Sequence, residues 1–361
     1  MAAFRFEDLH RLALEVFMAI GCPPDQARTA ADTLLSADLR GVDSHGVARL
    51  SGYVRLWENG RINPRPGIRV TYETPSTAVV DGDGGLGLVV APFAMEVAIA
   101  KATQAGTGWV STRNSNHYGI AGYHAMQAIP HNMIGMSMTN ASPLVAPTFS
   151  VERLLGTNPI AVAIPAGEEP PFVADLATTT AANGKLEILQ RKRAEAPLGW
   201  IQDAAGQPTT DPTATTRGGA LLPLGGDREH GSHKGYALGA VVDIFSAILS
   251  GANYGPWVPP FVAFLPVAPN LPGKGIGHFF GAMRIDAFRP ADEFKQHMDQ
   301  WIRRFRSAKP VEGQERVLIP GDPEREFETV RRLEGIPLVD AVVSDLMELA
   351  ARFGVTPIAA V

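Results

Sequence analysis

The sequence predicts an α/β protein in which helices at both ends of the chain enclose a central region of alternating strands and helices. Apolar residues recur at helical spacing in residues 9–20, and helical patterns return near the C-terminus, through Phe353. Residues 76–81 and 277–288 instead read as strands. We therefore expect a layered α/β body in the middle of the chain, with the two amphipathic ends packed on each other.

Length and composition permit two units. At 361 residues the chain is long enough for two domains, and 45% hydrophobic with 19% charged residues is ordinary for a globular protein. We predict a helical domain formed by residues 1–75 plus 290–361, and an α/β domain formed by residues 76–289.

Charge, cysteine content and apolar runs exclude several classes of protein. A net charge of -5 without basic clustering argues against nonspecific nucleic-acid binding. The single cysteine, Cys22, excludes an internal disulfide and any cysteine-based zinc or iron–sulfur site. The first residues lack the apolar core of a signal peptide, and each long apolar run is interrupted by charge or by Gly and Pro. We expect a cytoplasmic protein that binds neither nucleic acid nor membrane.

The chain is predicted to open with two helices. The first covers residues 9–20 and stops at Gly21, and the second begins after Pro23 and runs to about Leu39. Gly41 is the expected C-terminal stop of the second helix.

The motif D-S-H-G-V-A-R-L, residues 43–50, follows these helices. If Asp43 or Ser44 caps a third helix, His45 lies in its first turn and Arg49 one turn later on the same face. A guanidinium one turn from an imidazole suits a carboxylate clamp beside a proton donor. A capped surface helix with a solvated arginine explains the spacing equally well.

A glycine-rich turn links the strand at 76–81 to a helix at about 88–104. Gly82, Gly84 and Gly87 match the dinucleotide-binding pattern G-x-G-x-x-G in the expected strand-to-helix context. That fold also needs an acidic residue near the end of its second strand, and residues 97–151 contain no Asp or Glu. We therefore interpret the glycines as a tight turn.

His117 lies in N-S-N-H-Y-G-I-A-G-Y-H, residues 114–124, where an apolar run gives way to a helix-like segment. The junction of a strand and a helix is a common place for a catalytic side chain. N–H groups at a helix N-terminus disfavour a nearby imidazolium, so we expect a neutral ring that accepts a proton near pH 7. A structural, hydrogen-bonding histidine is the alternative.

Further polar segments occur at predicted strand ends and helix starts. Residues 139–143 and 156–159 place small polar groups at strand edges, and 175–185 run from a strand into a helix. The threonines there suit helix caps or phosphate ligands. Residues 197–231 are rich in turns and predict an excursion over the surface, after which Lys234 suits a phosphate or an exposed position.

Seven short motifs occur in order along nearly the whole chain: D-S-H-G-V-A-R-L, S-N-H-Y-G, T-N-A-S-P, G-T-N-P, D-L-A-T-T, S-H-K-G-Y-A-L and P-G-D-P-E. Together they resemble the malate/L-lactate/ureidoglycolate dehydrogenase family, also called L-sulfolactate dehydrogenase-like. The resemblance implies hydride transfer between NAD(P) and a small 2-hydroxy or 2-keto carboxylic acid of the malate, lactate or sulfolactate type. It implies a non-Rossmann mixed-sheet α/β sandwich, a cofactor-binding α/β domain at 76–289 and a homodimer.

The resemblance also implies roles for individual residues. His117 would be the acid/base that takes the hydroxyl proton, and His45 would polarise or orient the reacting oxygen. Asp175 would lie near the reacting centre and could orient an imidazole. Arg49 would bind the substrate carboxylate. The other implied substrate contacts are Ser44, Asn140 and Ala141. The implied cofactor contacts are Thr179, Thr180, Ala181, Lys234, Gly235, His297, Gly321, Asp322 and Pro323.

Three alternatives stay open. On the same scaffold, the enzyme would be an NAD(P)H-dependent reductase of cyclic 2-carboxy imines. Outside redox chemistry, His45, His117 and His124 would serve a metal-dependent hydrolase, although the stretch lacks the carboxylate that such sites usually include. A catalytically silent binding protein with an inherited fold is the third.

The choice of cofactor depends on a basic run at residues 191–193. These side chains would neutralise the 2'-phosphate of NADP, or they form a solvated helix end. The second interpretation favours NAD over NADP, and no metal is expected in the site.

Overall fold

The computed structural model describes residues 2–263 and 265–361 of the chain. The ten α-helices of these described residues are α1 (Phe6–Ala19), α2 (Pro24–Leu39), α3 (Leu50–Glu58), α4 (Gly87–Ala105), α5 (Ala121–Met126), α6 (Asn183–Lys192), α7 (Ser232–Asp243), α8 (Ala291–Arg306), α9 (Asp322–Glu334) and α10 (Asp340–Phe353). The twelve strands in the same ranges are β1 (Ala2–Phe4), β2 (Arg69–Glu73), β3 (Thr77–Asp81), β4 (Thr107–Ser115), β5 (Met133–Thr139), β6 (Ile160–Ile164), β7 (Phe172–Leu176), β8 (Ile201–Gln202), β9 (Pro208–Thr209), β10 (Ala220–Leu221), β11 (Ile276–Arg284) and β12 (Ile336–Leu338).

The main sheet is mixed, as the family resemblance implied. Seven of the described strands pair in the order β2-β3-β4-β11-β5-β6-β7. β3 and β4 are parallel and joined by α4, whereas the other neighbours are antiparallel. A Rossmann sheet is built from parallel strands, so this pairing confirms the non-Rossmann prediction. α4 and α5 pack on the sheet, and Val242 of α7 contacts Met138 and Phe279 in a separate cluster.

The glycine-rich turn before α4 serves close packing. A Cβ on Gly87 would lie 2.1 Å from the Asn116 carbonyl oxygen and 2.4 Å from that of His117. Gly84 adopts φ +72°, which side chains rarely adopt. The turn therefore brings the backbone before α5 directly against the first turn of α4.

The N-terminal helices share a hydrophobic core with the end of the chain. Buried residues of α1, α2 and α3 form one cluster with Ile336, Leu338, Leu346 and Leu349. The acidic first turn of α1 and the proline that opens α2 both suit helix N-termini. The predicted packing of the two chain ends therefore has a physical basis in this cluster.

Helix α8 has a different neighbourhood. The Asp299 carboxylate accepts hydrogen bonds from the backbone N–H groups of Gly167, Glu168 and Glu169, and Trp301 packs edge-on against Phe172. α8 therefore contacts the segment that leads into β7. The domain boundaries drawn from the sequence stay a prediction.

The motif at residues 43–50 departs from the predicted helix cap. Two 3-10 turns, Asp43–His45 and Val47–Arg49, precede α3, and no side chain caps that helix. The Asp38 carboxylate of α2 accepts the backbone N–H of Val47 at 2.8 Å, and a Cβ on Gly46 would lie 2.1 Å from that carboxylate. This contact breaks the helix before Arg49, so the predicted placement of His45 in its first turn is wrong.

Two other segments are better defined in the structure than in the sequence. Residues 197–231 carry the three-stranded sheet β10-β8-β9 with a small apolar core, rather than a plain surface excursion. α4 is long and apolar enough, by length and composition, to cross a membrane. It contains Pro92 and Glu96 and packs against α2, β4 and β11, as a core helix does.

Candidate active site

A cavity of about 450 Å³ opens where the N-terminal turns meet the loop after β4. Its walls include four of the predicted site residues: Ser44, His45, Arg49 and His117. Segments 142–144, 256–262 and 265–268 close it from other parts of the chain. Residues far apart in sequence therefore converge on one space, as the catalytic hypothesis required.

His117 lies in the loop between β4 and α5, as predicted, and is held by Tyr53. The Tyr53 hydroxyl and His117 Nδ1 are 2.6 Å apart. His117 packs against Phe261 with ring centroids 4.6 Å apart and stacks on His45 at 5.5 Å. Within the described residues Nε2 has no hydrogen-bond partner, so it is the ring nitrogen available to a ligand.

Both imidazoles of the cavity are neutral near pH 7. Burial lowers the pKa of His117 well below its usual value, and the positive charge of Arg49 acts in the same direction. Burial, with Arg49, lowers the pKa of His45 to about 4. The predicted neutral state therefore has a different cause: desolvation dominates, and α5 has six residues and a correspondingly weak dipole.

Arg49 is positioned for an anion. Its Nε donates to the Ser44 carbonyl oxygen at 2.6 Å, and its guanidinium carbon lies 5.9 Å from the centre of the Phe261 ring. Arg49 forms no ion pair with any residue in the described ranges. The remaining N–H groups suit the two oxygens of a carboxylate.

A second cavity of about 390 Å³ adjoins the first. The two share Ser44, His45, Thr157, Ala182 and Gly184 as walls. The second cavity also contains the acids Asp43, Asp175 and Glu324 and the bases Arg40 and Lys185. Ligands bound in the two cavities would meet at the wall formed by Ser44 and His45.

Asp175 does not hold an imidazole. Its Oδ2 accepts the backbone N–H of Gly122 at 2.7 Å, and its hydrogen bonds reach no histidine among the described residues. Burial raises the pKa of Asp175 to about 6, while solvent that enters the cavity limits this effect. Tyr53, rather than Asp175, contacts Nδ1 of His117.

Polar walls of the second cavity suit parts of a dinucleotide cofactor. Four glycines lie among its walls, and a Cβ on each would come within 2.6–3.2 Å of another side chain, so they serve packing: Gly41, Gly119, Gly122 and Gly184. Lys185 suits a phosphate, whereas Arg40 is buried and pairs with Glu328 at 3.6 Å. The Glu324 Oε2 atom is buried without a partner in the described structure, so it can accept a ribose hydroxyl.

The structure does not bring Asn140 and Ala141 into the first cavity. The Asn140 side chain is buried and donates to Asp243 Oδ1 and to the Asn253 carbonyl oxygen, both at 2.8 Å. The Ala141 N–H donates to Asn158 Oδ1 at 3.1 Å. Ser142, the next residue, lines the cavity instead. Asn140 thus braces the strand end, because its amide is consumed by internal bonds.

The predicted cofactor threonines are also engaged internally. The Thr179 hydroxyl donates to the Ala181 carbonyl oxygen at 2.9 Å, and that of Thr180 to Leu222 at 3.4 Å. Neighbouring Ala182 and Asn183, where α6 begins, line the first cavity. The residues at this helix start, more than the threonine hydroxyls, are presented to a ligand.

Lys234 and Gly235 lie at the start of α7. Lys234 is exposed and lines neither cavity. A Cβ on Gly235 would lie 2.3 Å from the Leu224 carbonyl oxygen, so this glycine is needed for packing. Their cofactor role stays a prediction.

The predicted contacts near the C-terminus lie away from His117. His297 is exposed on α8, beside Arg289. Gly321 adopts φ +98° before α9, and the Asp322 carboxylate bonds the Ile319 N–H and Arg306. Pro323 occupies the first turn of α9. Glu324, the next residue, is the one that lines the second cavity.

Sequence reasoning missed Tyr53, Phe261 and Arg153. Tyr53 follows Arg49 by four residues, so helical periodicity would have placed it on the same face. Phe261 and Arg153 come from irregular segments and reach the cavity through tertiary packing.

The three histidines of the hydrolase hypothesis do not meet. His124 bonds the Tyr118 carbonyl oxygen at 2.9 Å and packs on Tyr118, outside the cavity of His45 and His117. In the described part of the chain, no group of three His, Cys, Asp or Glu side chains is arranged to hold a metal ion.

Known proteins resemble this chain over almost its full length. The sequence profile of the family described as malate/L-lactate dehydrogenase matches residues 4–347. Malate dehydrogenase from Pyrococcus horikoshii is 45% identical over 350 residues, covering 96% of this chain and 94% of that protein. Its solved structure gives a TM-score of 0.89 at 42% identity, covering 98% of this chain and 96% of that chain.

Two further relatives carry other names. L-sulfolactate dehydrogenase from Methanocaldococcus jannaschii is 38% identical over 348 residues, covering 96% of each protein. A Delta(1)-pyrroline-2-carboxylate/Delta(1)-piperideine-2-carboxylate reductase from Pseudomonas putida is 35% identical over 249 residues, covering 69% of this chain and 71% of that protein. With the mixed sheet and the profile match, these similarities show that the chain belongs to the malate/L-lactate dehydrogenase family.

Proposed function

We propose that this dehydrogenase interconverts a small 2-hydroxy acid of the malate, lactate or sulfolactate type and its 2-keto acid. The observation that carries the proposal is the convergence of neutral His117 with unpaired Arg49 in one cavity. A 2-hydroxy acid needs a carboxylate anchor and a proton acceptor for its hydroxyl. Arg49 and His117 supply these two functions side by side.

The chain's own residues handle the proton and the orientation of the substrate. Arg49 holds the carboxylate, and His117 Nε2 takes the hydroxyl proton during oxidation. For Nε2 to accept the proton, Nδ1 must carry the hydrogen of the neutral ring and donate it to the Tyr53 oxygen 2.6 Å away. The same contact persists in the protonated ring, so Nε2 keeps its direction. Negative charge on the substrate offsets the cost of the imidazolium. The nicotinamide cofactor, when bound, accepts the hydride.

We propose the second cavity as the cofactor site, with NAD favoured over NADP. Asp43, Asp175 and Glu324 line it beside Arg40 and Lys185. Carboxylates accept ribose hydroxyls and repel a 2'-phosphate. The basic run, which would neutralise a 2'-phosphate or form a solvated helix end, includes Lys192. Lys192 lines a third cavity that shares Ser44 and Gly184 with the proposed cofactor site, while the Arg191 side chain lies outside the described residues.

The His117→Ala variant tests the function. We expect kcat to fall by roughly 10²- to 10⁴-fold for the preferred acid, because the proton acceptor is lost. The Kd for NADH, measured by calorimetry, should stay within about threefold. His131→Ala, which removes an exposed histidine, is the matched control. Full activity of His117→Ala would refute the proposal.

Reduction of cyclic 2-carboxy imines is the second candidate. Its supporting observation is the similarity to the Pseudomonas putida reductase. The same cavity would hold the carboxylate at Arg49 and deliver the proton to nitrogen. Oxidation of NADH and NADPH, assayed against 2-keto acids and cyclic imino acids in parallel, separates the candidates by kcat/KM.

We also propose that the enzyme is a homodimer, located in the cytoplasm. Large apolar side chains remain exposed along α7 and the π-helical turn after it: Tyr236, Leu238, Val241, Ile244, Phe245, Ile248 and Leu249. An apolar face of this kind is typical of an interface between subunits. A second copy of the chain, paired through a twofold axis, would cover it.

A further inference from the structure

We propose that Arg153 recognises a second anionic group of the substrate, so that the enzyme prefers 2-hydroxy and 2-keto acids with two anionic groups to those with one. The inference rests on the proposed function. It assigns a specificity-determining residue to the same cavity and names the substrate class that this residue selects.

Arg153 reaches the cavity from a short antiparallel bridge. Val145 pairs with Leu155, and the Leu154 N–H donates to the Val145 carbonyl oxygen at 3.0 Å. The Arg153 guanidinium donates to the Thr215 carbonyl oxygen at 2.5 Å, which fixes one of its ends. Arg153 and Arg49 line the same cavity of about 450 Å³, although they come from distant segments.

The charge of Arg153 lacks a protein partner. The residue is half-buried and forms no ion pair within residues 2–263 and 265–361, whereas exposed Arg217 nearby pairs with Asp211. Burial lowers the pKa of Arg153, which reflects the cost of desolvating its charge. A half-buried guanidinium without a carboxylate favours binding of an anion from solution.

The other charged groups of the cavity do not cancel this preference. Glu187 is the carboxylate among the described walls, and its Oε1 accepts the Asn183 amide at 3.0 Å rather than pairing with a guanidinium. His45 and His117 are neutral. Two guanidiniums and one carboxylate leave a net positive charge, which favours an anionic ligand.

Selectivity for substrates with two anionic groups follows because each arginine binds a different group. Arg49 binds the carboxylate beside the reacting carbon, next to His117, and leaves Arg153 for a carboxylate or sulfonate at the other end of the molecule. A substrate with a methyl group there leaves Arg153 desolvated and unpaired, which lowers its affinity.

Steady-state kinetics of Arg153→Gln test the proposal. We expect kcat/KM for oxaloacetate to fall about 10- to 100-fold, mostly through KM, because a charge-assisted hydrogen-bond pair is lost. The kcat/KM for pyruvate should change by less than about threefold. For Arg153→Lys, the kcat/KM for oxaloacetate should lie between the values of Arg153→Gln and of the unaltered enzyme. Arg217→Gln, on the turn that carries Thr215, should have the same kcat/KM as the unaltered enzyme.

Calorimetry with malate and lactate gives a readout without turnover. The unaltered enzyme should bind malate more tightly than lactate, and Arg153→Gln should remove that difference. Equal losses for oxaloacetate and pyruvate, no loss for either, or a weakened Kd for NADH would each overturn the role of Arg153. A weakened Kd for NADH would assign the guanidinium to the cofactor instead.

A failure of the proposed function can be distinguished from a failure of the role of Arg153. If the unaltered enzyme reduces none of the 2-keto acids, the proposed function is wrong. The malate and lactate titrations still decide whether Arg153 binds a second anionic group. If Arg153→Gln fails to fold, Arg153→Lys replaces it, because lysine keeps the charge but loses the bidentate geometry. A lower ratio of kcat/KM for oxaloacetate to kcat/KM for pyruvate in Arg153→Lys would then support the role of Arg153, and an unchanged ratio would overturn it.

Discussion

The phenol of Tyr53 contacts one ring nitrogen of His117 and leaves the other free for the proposed substrate. Its hydroxyl bonds Nδ1, and its ring packs against Phe17 and Phe261 with centroids 6.3 and 5.2 Å away. Burial raises the pKa of Tyr53, so the hydroxyl stays protonated at working pH. We therefore propose that Tyr53 acts through His117 as a positioning residue.

Removing that hydroxyl should affect catalysis more than stability. For Tyr53→Phe we expect kcat to fall about tenfold with a small change in KM, because the ring of His117 loses its anchor. The free energy of unfolding should fall by about 1 kcal/mol, since the aromatic packing is kept. Tyr118→Phe, which loses a bond to Ser137 outside the cavity, is the control. An unchanged kcat in Tyr53→Phe would contradict the positioning role.

Individual site residues were predictable where a local motif carried them. His45, Arg49 and His117 lie in short motifs whose residue types suggest acid/base chemistry and carboxylate binding, and the structure brings all three together. Whether the Asn140 amide is free to bind a substrate could not be predicted from a local motif. Its amide is consumed by Asp243, a residue far along the chain, and no local pattern reports such a partner.

At the level of secondary-structure elements, the first turn of α4 supports the loop that carries His117. The backbone of residues 116–117 lies against Gly87 so closely that a side chain there has no space. The same loop is held by Asn116, whose amide donates to the carbonyl oxygens of Gly84 and Gly85. The strand-to-helix junction is therefore closely packed at the proposed acid/base, His117.

Substituting Gly87 tests this support. A methyl group in Gly87→Ala would displace the 116–117 backbone, so we expect a loss of about 1–3 kcal/mol in unfolding free energy. A lower kcat/KM should accompany it, because His117 moves away from Arg49. Gly67→Ala is the control, since its Cβ would meet Asp83 at an ordinary 3.7 Å. Equal behaviour of the two variants in denaturant unfolding and kinetics would rule the support out.

Helices and strands were largely predictable because their periodicity is local. α1, α2, α4, β3 and β11 lie close to the expected positions. The turns before α3 were not predictable, because the Asp38 carboxylate that breaks the helix belongs to another element. The small sheet β10-β8-β9 was not predictable either, because strands of two residues each are too short to show a periodic pattern.

At the scale of the whole molecule, buried imidazoles make the fold sensitive to acid. His124 and His278 are completely buried, and burial lowers their pKa values to about 4 and about 3. The folded pKa lies below the ordinary value of 6.5, so the unfolded chain binds protons first as the pH falls. The stability that the fold gains by burying these two imidazoles in the neutral form is fully present above pH 6.5. It is lost as the pH falls toward 4.

His124→Gln should flatten this dependence. Between about pH 6.5 and 4 we expect the slope of unfolding free energy against pH to decrease by up to about 1.4 kcal/mol per pH unit, the value for one proton. Guanidinium titrations at several pH values measure it. His131→Gln, at an exposed position, should keep the original slope. A slope unaltered by His124→Gln would show that this ring does not contribute.

The apolar face of α7 predicts the oligomeric state. Leu249→Glu places a charge at a side chain that is 59% exposed, so the monomer fold should tolerate it while the dimer does not. Sedimentation should show a shift from dimer to monomer at micromolar concentration. Leu333→Glu, at an 82% exposed position on α9, should remain dimeric. A dimeric Leu249→Glu protein would place the interface elsewhere.

The strand order of the main sheet has a consequence for biosynthesis. β11 pairs Phe280 with Val110 on one side and with Ser137 on the other, so the central strand is translated long after its two neighbours. Until the ribosome releases residues 276–284, β4 and β5 each keep an unpaired edge, which is prone to aggregation. We expect nascent chains that stop short of β11 to depend on chaperones and to become protease-resistant once this strand has emerged.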